Sequence, residues 1–194
     1  MADPVPIKCV VVGPPASGKS SMLVKLTTGE ISSDCTPTVF DNFATCIKQG
    51  GKEYELRYWH KLKHLSAPLR LFDTGEDKEL RSTAYPGADV VLVCFPVEDL
   101  HMSGKALKNQ LTKFATEAGN MRTVLVGMKS DTKKDDTSSA NGWNLAKELS
   151  AQIYLECSST ANDDSVPKLF NEVITIFNVK KNKRAMLSDV RQKR

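Results

Sequence analysis

The sequence has no long apolar run, and none of its apolar stretches approaches the ~18 residues that a transmembrane helix needs. Its first residues show neither a basic start nor a hydrophobic signal core, so we expect no entry into the secretory route. Cysteine is scarce: the five cysteines are scattered and odd in number, and Cys9, Cys94 and Cys157 stand inside apolar runs. This usage is typical of small core side chains in a reducing compartment. We therefore expect a cytoplasmic protein with one core.

Excess charge is missing from most of the chain. The formal net charge is only +4, and seven basic residues against one acidic residue fall between 180 and 194. The nearly neutral body lacks the broad basic face of a general nucleic-acid-binding protein, so we expect no nucleic-acid partner. We predict a domain over residues 1–178 and a basic tail over 179–194 that is solvated and disordered. The alternative is a contact of residues 180–194 with an anionic membrane at its inner face, although the last four residues include no prenylation cysteine.

A phosphate-binding motif is present near the start. Residues 13–20 read Gly-Pro-Pro-Ala-Ser-Gly-Lys-Ser, a complete G-x-x-x-x-G-K-[ST] loop between the apolar run Ile7–Val12 and a helix-like segment. In this context glycines let the backbone wrap an anion, and the N-terminal end of the helix faces the phosphates. Lys19 would reach the terminal phosphates and Ser20 would hold magnesium. The predicted nucleotide-binding residues of this segment are Gly13, Pro15, Ala16, Ser17, Gly18, Lys19, Ser20 and Ser21.

Strands and helices alternate along the chain. Apolar runs predict strands over Ile7–Val12, Val90–Phe95, Thr123–Val126 and Ile153–Cys157. Helical spacing predicts helices over Ser20–Leu26, Ser103–Ala118, Asn141–Leu149 and Ser165–Phe177. Gly50-Gly51 predicts a hairpin that joins Phe43–Gln49 to Lys52–Arg57. The expected fold is α/β, a doubly wound, mostly parallel six-stranded sheet with one antiparallel edge strand and ligands at the carboxyl ends of its strands.

A second phosphate-side element follows the hairpin. The run Leu69–Phe72 ends in Asp73-Thr74-Gly75, so a strand would deliver the Asp73 carboxylate to the same sheet edge as the phosphate loop. Magnesium prefers oxygen ligands and keeps several waters, so one hydroxyl and one carboxylate suffice as the protein's contribution.

Further motifs follow in order: Thr36–Phe43, Leu71–Gly75, Tyr85-Pro86, Val91–Phe95, Val126–Asp131 and Glu156–Ser159. Together with Ile7–Gly13 they resemble the Rho branch of the Ras-superfamily small GTPases over about residues 5–178. The combination is specific, whereas any single motif is weak.

The resemblance implies the P-loop NTPase (small G-protein) fold and a GTP/GDP switch in signal transduction that hydrolyses GTP with Mg²⁺. Thr38 would close on magnesium and the terminal phosphate when GTP is bound, so residues 31–42 form a candidate switch. The implied magnesium ligands are Ser20, Thr38 and Asp73, and Gly75 joins the nucleotide-binding residues.

The base would be held by a second group of residues. Asp131 would accept hydrogen bonds from the ring N–H and the exocyclic amine of guanine, which adenine lacks, and Lys129 would lie along the base. The backbone at Ser158 and Ser159 would meet the guanine oxygen. A buried acceptor of this kind favours GTP over ATP.

The chain departs from the family where hydrolysis is organised. Glu76 or Asp77 takes the place of the glutamine that orients the attacking water, so the implied catalytic set is Lys19, Thr38 and one of these two acids. A carboxylate beside an anionic phosphate is repelled, and we predict slow intrinsic hydrolysis. Pro14 and Pro15 remove backbone donors, and Pro15 would crowd an incoming arginine finger.

The base pocket departs as well. Met128 replaces the usual Asn or Thr before Lys129, Ile31 stands where the family carries an aromatic residue, and Cys35 replaces a tyrosine that covers the phosphates. Each change leaves the bound nucleotide less enclosed by the protein, so we predict faster nucleotide release than in typical relatives.

The resemblance also implies partners. Exchange factors, GTPase-activating proteins and effectors would bind a monomer through residues 31–43 and 73–86, with a link to the actin cytoskeleton. The inserted residues 58–68 are interpreted as an elongated hairpin or packed surface loop, the alternative being a partner or membrane contact. Residues 131–141 are too few for the extra helix of most Rho relatives.

Two other functions remain open at this level. A binding module on the same fold would hold guanine nucleotide without useful hydrolysis, as the changes at Pro15, Glu76 and Asp77 suggest. A small-metabolite kinase would share residues 13–20, but it needs an arginine-bearing lid and an acceptor pocket, and the sequence indicates neither. The segment Thr36–Phe43 and the pair Lys129 and Asp131 also argue against it.

Overall fold

A single mixed sheet organises the protein. The computed structural model describes residues 5–28, 43–59, 84–102, 104–133 and 137–192. Six strands pair in the order β2-β3-β1-β4-β5-β6. Their bounds are β1 Val5–Val12, β2 Phe43–Gln49, β3 Lys52–Trp59, β4 Val90–Pro96, β5 Arg122–Met128 and β6 Ile153–Cys157. All neighbours are parallel except β2 and β3, which form the predicted hairpin at one edge.

Helices cover both faces of this sheet. Their bounds are α1 Lys19–Thr28, α2 Asp99–Met102, α3 Gly104–Ala118, α4 Thr137–Glu148 and α5 Ser165–Gln192, and a 3₁₀ turn occupies Ser130–Thr132. One core cluster joins the sheet to α1 and α5, with Met22, Leu23 and Phe170 at its centre. The second joins the opposite face to α3 and α4 through Leu111, Phe114 and Leu145. The doubly wound α/β fold is thus confirmed, and the central strand β4 is buried along its whole length.

The last helix is longer than the sequence pattern indicated. We expected a helix to Phe177 and a disordered tail, whereas α5 continues to Gln192, so the expectation of disorder is wrong for residues up to 192. Pro167 lies in the first turn, where it is tolerated, and neither glycine nor proline follows it. In residues 179–192, the part of α5 that falls in the predicted tail, eight of fourteen residues are Lys, Arg, Ala, Met or Leu, which favour helix. The predicted domain boundary at residue 178 falls inside α5 and stays a prediction.

The cysteines of the apolar runs are buried, as predicted. Burial raises the pKa of the Cys9 and Cys94 thiols to about 12, and it also raises the pKa of Cys157. All three therefore remain protonated at neutral pH and pack as small apolar side chains. Within the described ranges, none of the helices combines the length and the apolar character that crossing a membrane requires.

Tyr154 of β6 fixes the position of α4 on the sheet. Its ring stacks on Phe95 with 6.2 Å between ring centroids, and its hydroxyl donates to Glu156 Oε1 at 2.9 Å. Two glycines make room for the ring. A Cβ at Gly142 of α4 would lie 2.2 Å from Tyr154 Cζ, and one at Gly127 of β5 would lie 2.4 Å from Tyr154 Oη. The helix and the strand can approach Tyr154 only because both residues lack a side chain.

Gly142→Ala should destabilise the fold, although the same change in a helix ordinarily stabilises by about 1 kcal/mol. The new methyl group would push the Tyr154 ring out of place, and we expect a loss of about 2 kcal/mol in the free energy of unfolding measured in urea. Asn141→Ala, at the exposed neighbouring position of α4, is the control and should be neutral or mildly stabilising. A stabilised Gly142→Ala variant would contradict the close packing.

Candidate nucleotide-binding site

The phosphate loop lies between β1 and α1, at the carboxyl end of the strand. Gly13 has φ 149°, and a Cβ there would lie 2.0 Å from the carbonyl oxygen of Cys94 in the neighbouring β4. Gly18 also has positive φ, and Ala16 takes a left-handed conformation with φ 56°. Only glycine fits at position 13, and the loop turns tightly there before α1 begins at Lys19.

Lys19 is drawn back into this loop. Its side chain is 6% exposed, and Nζ donates to the carbonyl oxygens of Gly13 at 3.0 Å and Pro14 at 2.5 Å, and to Ser17 Oγ at 3.1 Å. A buried ammonium needs such oxygen partners. The positive charge therefore stands within the curve of the loop, where the motif predicts that phosphates bind.

The other predicted phosphate-loop residues are placed consistently. Ser20 and Ser21 lie in the first turn of α1, and the Met22 N–H donates to the Gly18 carbonyl at 3.0 Å. The positive end of the helix dipole thus faces the loop. Pro14 and Pro15 precede this turn and contribute no N–H, as the sequence indicated.

The predicted base-binding segments come from β5 and β6. Directly after β5, Lys129 adopts a left-handed conformation with φ 58° and starts the 3₁₀ turn that contains Asp131. Thr132 fastens this turn, since its N–H and its hydroxyl donate to the Lys129 carbonyl at 3.0 and 2.9 Å. Because β1, β5 and β6 run parallel, their following loops meet at one edge of the sheet.

Ser158 joins the two base segments. Its buried hydroxyl donates to Asp131 Oδ1, and its Oγ accepts the N–H groups of Thr160 at 3.1 Å and Ala161 at 2.9 Å. This hydrogen bond from Ser158 is the main cause that lowers the pKa of Asp131. Asp131 is therefore ionised at neutral pH and is an acceptor only.

Met128 forms an apolar floor under the phosphate loop. It is fully buried, its Sδ lies 3.6 Å from Cys157 Sγ, and its Cε would lie 3.4 Å from a Cβ on Gly18. At this position, where the resemblance implies Asn or Thr, the chain thus carries Met128, whose sulfur packs against that of Cys157. The faster nucleotide release inferred from this change stays a prediction.

Several predicted residues lie outside the described part of the chain. These are Thr38, Asp73, Gly75, Glu76 and Asp77, together with Ile31, Cys35 and the strand Leu69–Phe72. Most of the partner ranges 31–43 and 73–86 and of the insertion 58–68 also lie outside it. Of the predicted magnesium ligands, the structure places only Ser20.

Sequence reasoning missed two groups that hold the base loops. Lys133 Nζ contacts Ser139 Oγ at 2.6 Å and Glu156 Oε2 at 3.5 Å, and the Ser139 hydroxyl donates to Glu156 Oε1 at 2.7 Å. This network ties the end of the 3₁₀ turn to α4 and β6. Lys25 of α1 is the second, and its Nζ donates to the carbonyl oxygens of Ser158 and Ala161. Neither group has a short motif that would have revealed it.

The mostly parallel sheet with a phosphate loop after its first strand defines a P-loop nucleotide-binding protein. Residues 8–178 match the model of the Ras family, and the chain belongs to that family. It is 34% identical to the Ras-like GTP-binding protein RHO1 of Entamoeba histolytica over 165 residues, which cover 80% of this chain and 69% of that protein. The predicted resemblance to Rho-like small GTPases is thereby confirmed.

Membership in this family settles the coarse function. The protein is a small GTPase, a guanine-nucleotide-binding switch of a family whose members hydrolyse GTP. Small GTPases generally act with exchange factors, GTPase-activating proteins and effectors.

The two adjacent serines after β6 should respond oppositely to alanine. Ser159 Oγ is buried and finds no hydrogen-bond partner among the described residues, whereas Ser158 Oγ serves several groups. Ser159→Ala should raise the free energy of unfolding by about 1 kcal/mol because it removes a buried hydroxyl that makes no bond. Ser158→Ala should lower the same quantity by about 2 kcal/mol because it leaves Asp131 and two N–H groups without their partner.

Thermal and urea unfolding of the nucleotide-free variants measures both effects. Equal destabilisation by the two substitutions would show that the Ser159 hydroxyl is bonded in solution.

Proposed function

We propose that this chain is a magnesium-dependent, Rho-like GTP/GDP switch that hydrolyses GTP slowly and signals from the cytoplasm. The observation that carries the proposal is the hydrogen bond between the Ser158 hydroxyl and the Asp131 carboxylate. It joins two loops at the sheet edge where the phosphate loop holds Lys19, so one edge offers a cation for phosphates and an acceptor for a purine.

Base selection follows from the chemistry of Asp131. Guanine presents a ring N–H and an exocyclic amine on its Watson–Crick edge, and an ionised carboxylate accepts from both. Adenine offers no such pair, so its binding would leave the carboxylate without donors, which is strongly unfavourable in a polar pocket. Ser158 holds Asp131 in place for this task.

Phosphate binding relies on Lys19 and on the N-terminal end of α1. The ammonium of Lys19 already lies among the loop's own oxygens, so an incoming phosphate would exchange these neutral partners for an anionic one. The N–H groups of Ala16, Ser17 and Gly18 add donors from the loop.

The proposed magnesium ligands fit the ion chemically. The hydroxyls of Ser20 and Thr38 and the carboxylate of Asp73 are hard oxygen donors, which Mg²⁺ prefers over nitrogen or sulfur. Bound there, the ion would neutralise charge on the β- and γ-phosphates. Ser20 stands one residue beyond Lys19 in the first turn of α1, next to the phosphate position.

Removal of magnesium with EDTA should speed the release of fluorescent GDP from the wild-type protein by about 10-fold, the equivalent of one lost charge-assisted contact. In the presence of Mg²⁺, Ser20→Ala should release GDP as fast as the wild-type protein does after EDTA treatment. EDTA should not change the rate of this variant. Ser20→Thr keeps the hydroxyl and is the matched control, with a wild-type rate expected. Insensitivity of the wild-type protein to EDTA would refute the proposed ion.

Intrinsic hydrolysis should be slow because Glu76 or Asp77 stands in place of the water-orienting glutamine. Single-turnover phosphate release should run about 10-fold or more below that of a Rho-family protein with the glutamine, since one orienting contact is lost. Glu76→Gln and Asp77→Gln serve as a pair, and the one that accelerates the reaction identifies the position. A wild-type rate equal to that of the comparison protein would contradict slow hydrolysis, and no phosphate release at all would favour a pure binding module.

Partner contacts are proposed on the same basis. Exchange factors, activating proteins and effectors would read residues 31–43 and 73–86 of a monomer, and a role in the actin cytoskeleton follows from the Rho resemblance. Residues 180–194 would give a basic contact with an anionic membrane, at about 1 kcal/mol per basic residue near the surface.

A further inference from the structure

We infer that Lys25 is a positioning residue of the guanine site, which orients the peptide unit between Ser158 and Ser159 so that its N–H meets the 6-oxygen of the base. The inference rests on the proposed function, because it concerns the base segment of the same site. Lys25 belongs to none of the motifs that identify the site in the sequence.

Lys25 contacts two backbone oxygens that lie three residues apart in the segment after β6. From α1 its Nζ donates to the Ser158 carbonyl at 3.3 Å and to the Ala161 carbonyl. The Ser165 hydroxyl approaches the same Ser158 carbonyl at 3.4 Å, while the Ser158 N–H donates to Ser165 Oγ at 3.1 Å. The Ser165 hydroxyl has one hydrogen and donates it to Asp163 Oδ1 at 2.5 Å, so among the described side chains Lys25 is the donor that holds the Ser158 carbonyl.

Peptide geometry converts this into a direction for the N–H. No cis peptide bond occurs in the described chain, and in a planar trans peptide the C=O and the N–H point in opposite directions. With Lys25 holding the Ser158 oxygen, the Ser159 N–H must point away from α1. Within the described part of the chain, this N–H donates to no other group, so it is available to a ligand.

Charge adds to orientation. An ammonium on the carbonyl oxygen polarises the amide, and a polarised amide is a stronger donor through its N–H. The acceptor that such a donor suits is a carbonyl oxygen, such as the 6-oxo group of a purine next to the groups that Asp131 would bind.

Lys25 also links the two ends of the site. It lies six residues after Lys19 on the same helix, about 9 Å along the axis. One rigid element thus carries the cation for the phosphates and the cation that sets the base loop. This arrangement fixes the distance between the two ends of one bound nucleotide.

The test compares three diphosphates on five proteins, the wild type and four variants, by titration calorimetry with nucleotide-free full chains in Mg²⁺. GDP and IDP both carry the 6-oxo group, whereas 6-thio-GDP replaces this oxygen by sulfur, a weaker acceptor. Three of the variants are Lys25→Met, which keeps the stem without donors, Lys25→Arg, which keeps a cation with donors, and Lys168→Met. The last is the matched control, because Lys168 is exposed and, like Lys25, acts electrostatically on Asp163.

We expect Lys25→Met to lower the affinity for GDP and for IDP by about 10-fold each, the effect of one oriented hydrogen bond. The affinity for 6-thio-GDP should fall by less than about 3-fold. Lys25→Arg should restore GDP affinity to within about 3-fold of wild type, and Lys168→Met should leave all three ligands unchanged. Lys25→Gln, the fourth variant, is too short to span both carbonyls and should behave as Lys25→Met does.

An equal loss for all three diphosphates would show that Lys25 merely holds the loop, and it would overturn the inference, as would unchanged GDP affinity in Lys25→Met and Lys25→Gln. Failure of the wild-type protein to bind GDP is a separate result, seen before any variant is made, and it would refute the proposed function itself.

Discussion

The base site depends on one hydrogen bond, from the Ser158 hydroxyl to the Asp131 carboxylate. The two residues lie 27 positions apart, in loops that follow different strands. The Ser158 hydroxyl also accepts hydrogen bonds from the N–H groups of Thr160 and Ala161. These two bonds fix its orientation, so its hydrogen points to the Asp131 carboxylate. Without this partner the Asp131 carboxylate would lose the hydrogen bond that orients it, and only the contact of Lys133 with Glu156 would link the described end of the 3₁₀ turn to β6. The predicted base site is therefore formed only when the two loops are brought together by the complete fold.

The sheet makes such a meeting unavoidable. Because β1, β4, β5 and β6 are parallel neighbours, the segments that follow them emerge at one edge, and close packing brings them together. Gly13 shows how close the approach is, since even a methyl group would collide with the Cys94 carbonyl. The same constraint acts on the other side of the sheet at Gly142, where α4 must pass the Tyr154 ring.

Much of this could be predicted because the signals are local. The phosphate loop is a contiguous motif, the hairpin is marked by two adjacent glycines, and the apolar runs of a parallel sheet need no knowledge of their neighbours. The exact extent of α5 was not predicted, since absence of a stop signal is weaker evidence than its presence. Lys25 and the contacts of Lys133 with Glu156 could not be found, because they join segments that are distant in the chain and a lysine on a helix surface has no distinctive pattern.

Met128 makes apolar contacts at the end of β5, next to a 3₁₀ turn that is held by hydrogen bonds. A thioether at the end of β5 donates no hydrogen bond, and Met128 instead packs against Cys157 and under Gly18. The 3₁₀ turn is nevertheless held at its middle by Ser158 and at its end by Lys133. Polar contacts thus link the turn to β6, whereas Met128, at the end of β5, contacts the phosphate loop at Gly18. The contact of Met128 with Gly18 is an apolar one and sets no fixed orientation. The directional contacts between α1, which follows the phosphate loop, and the base segment after β6 are the hydrogen bonds of Lys25.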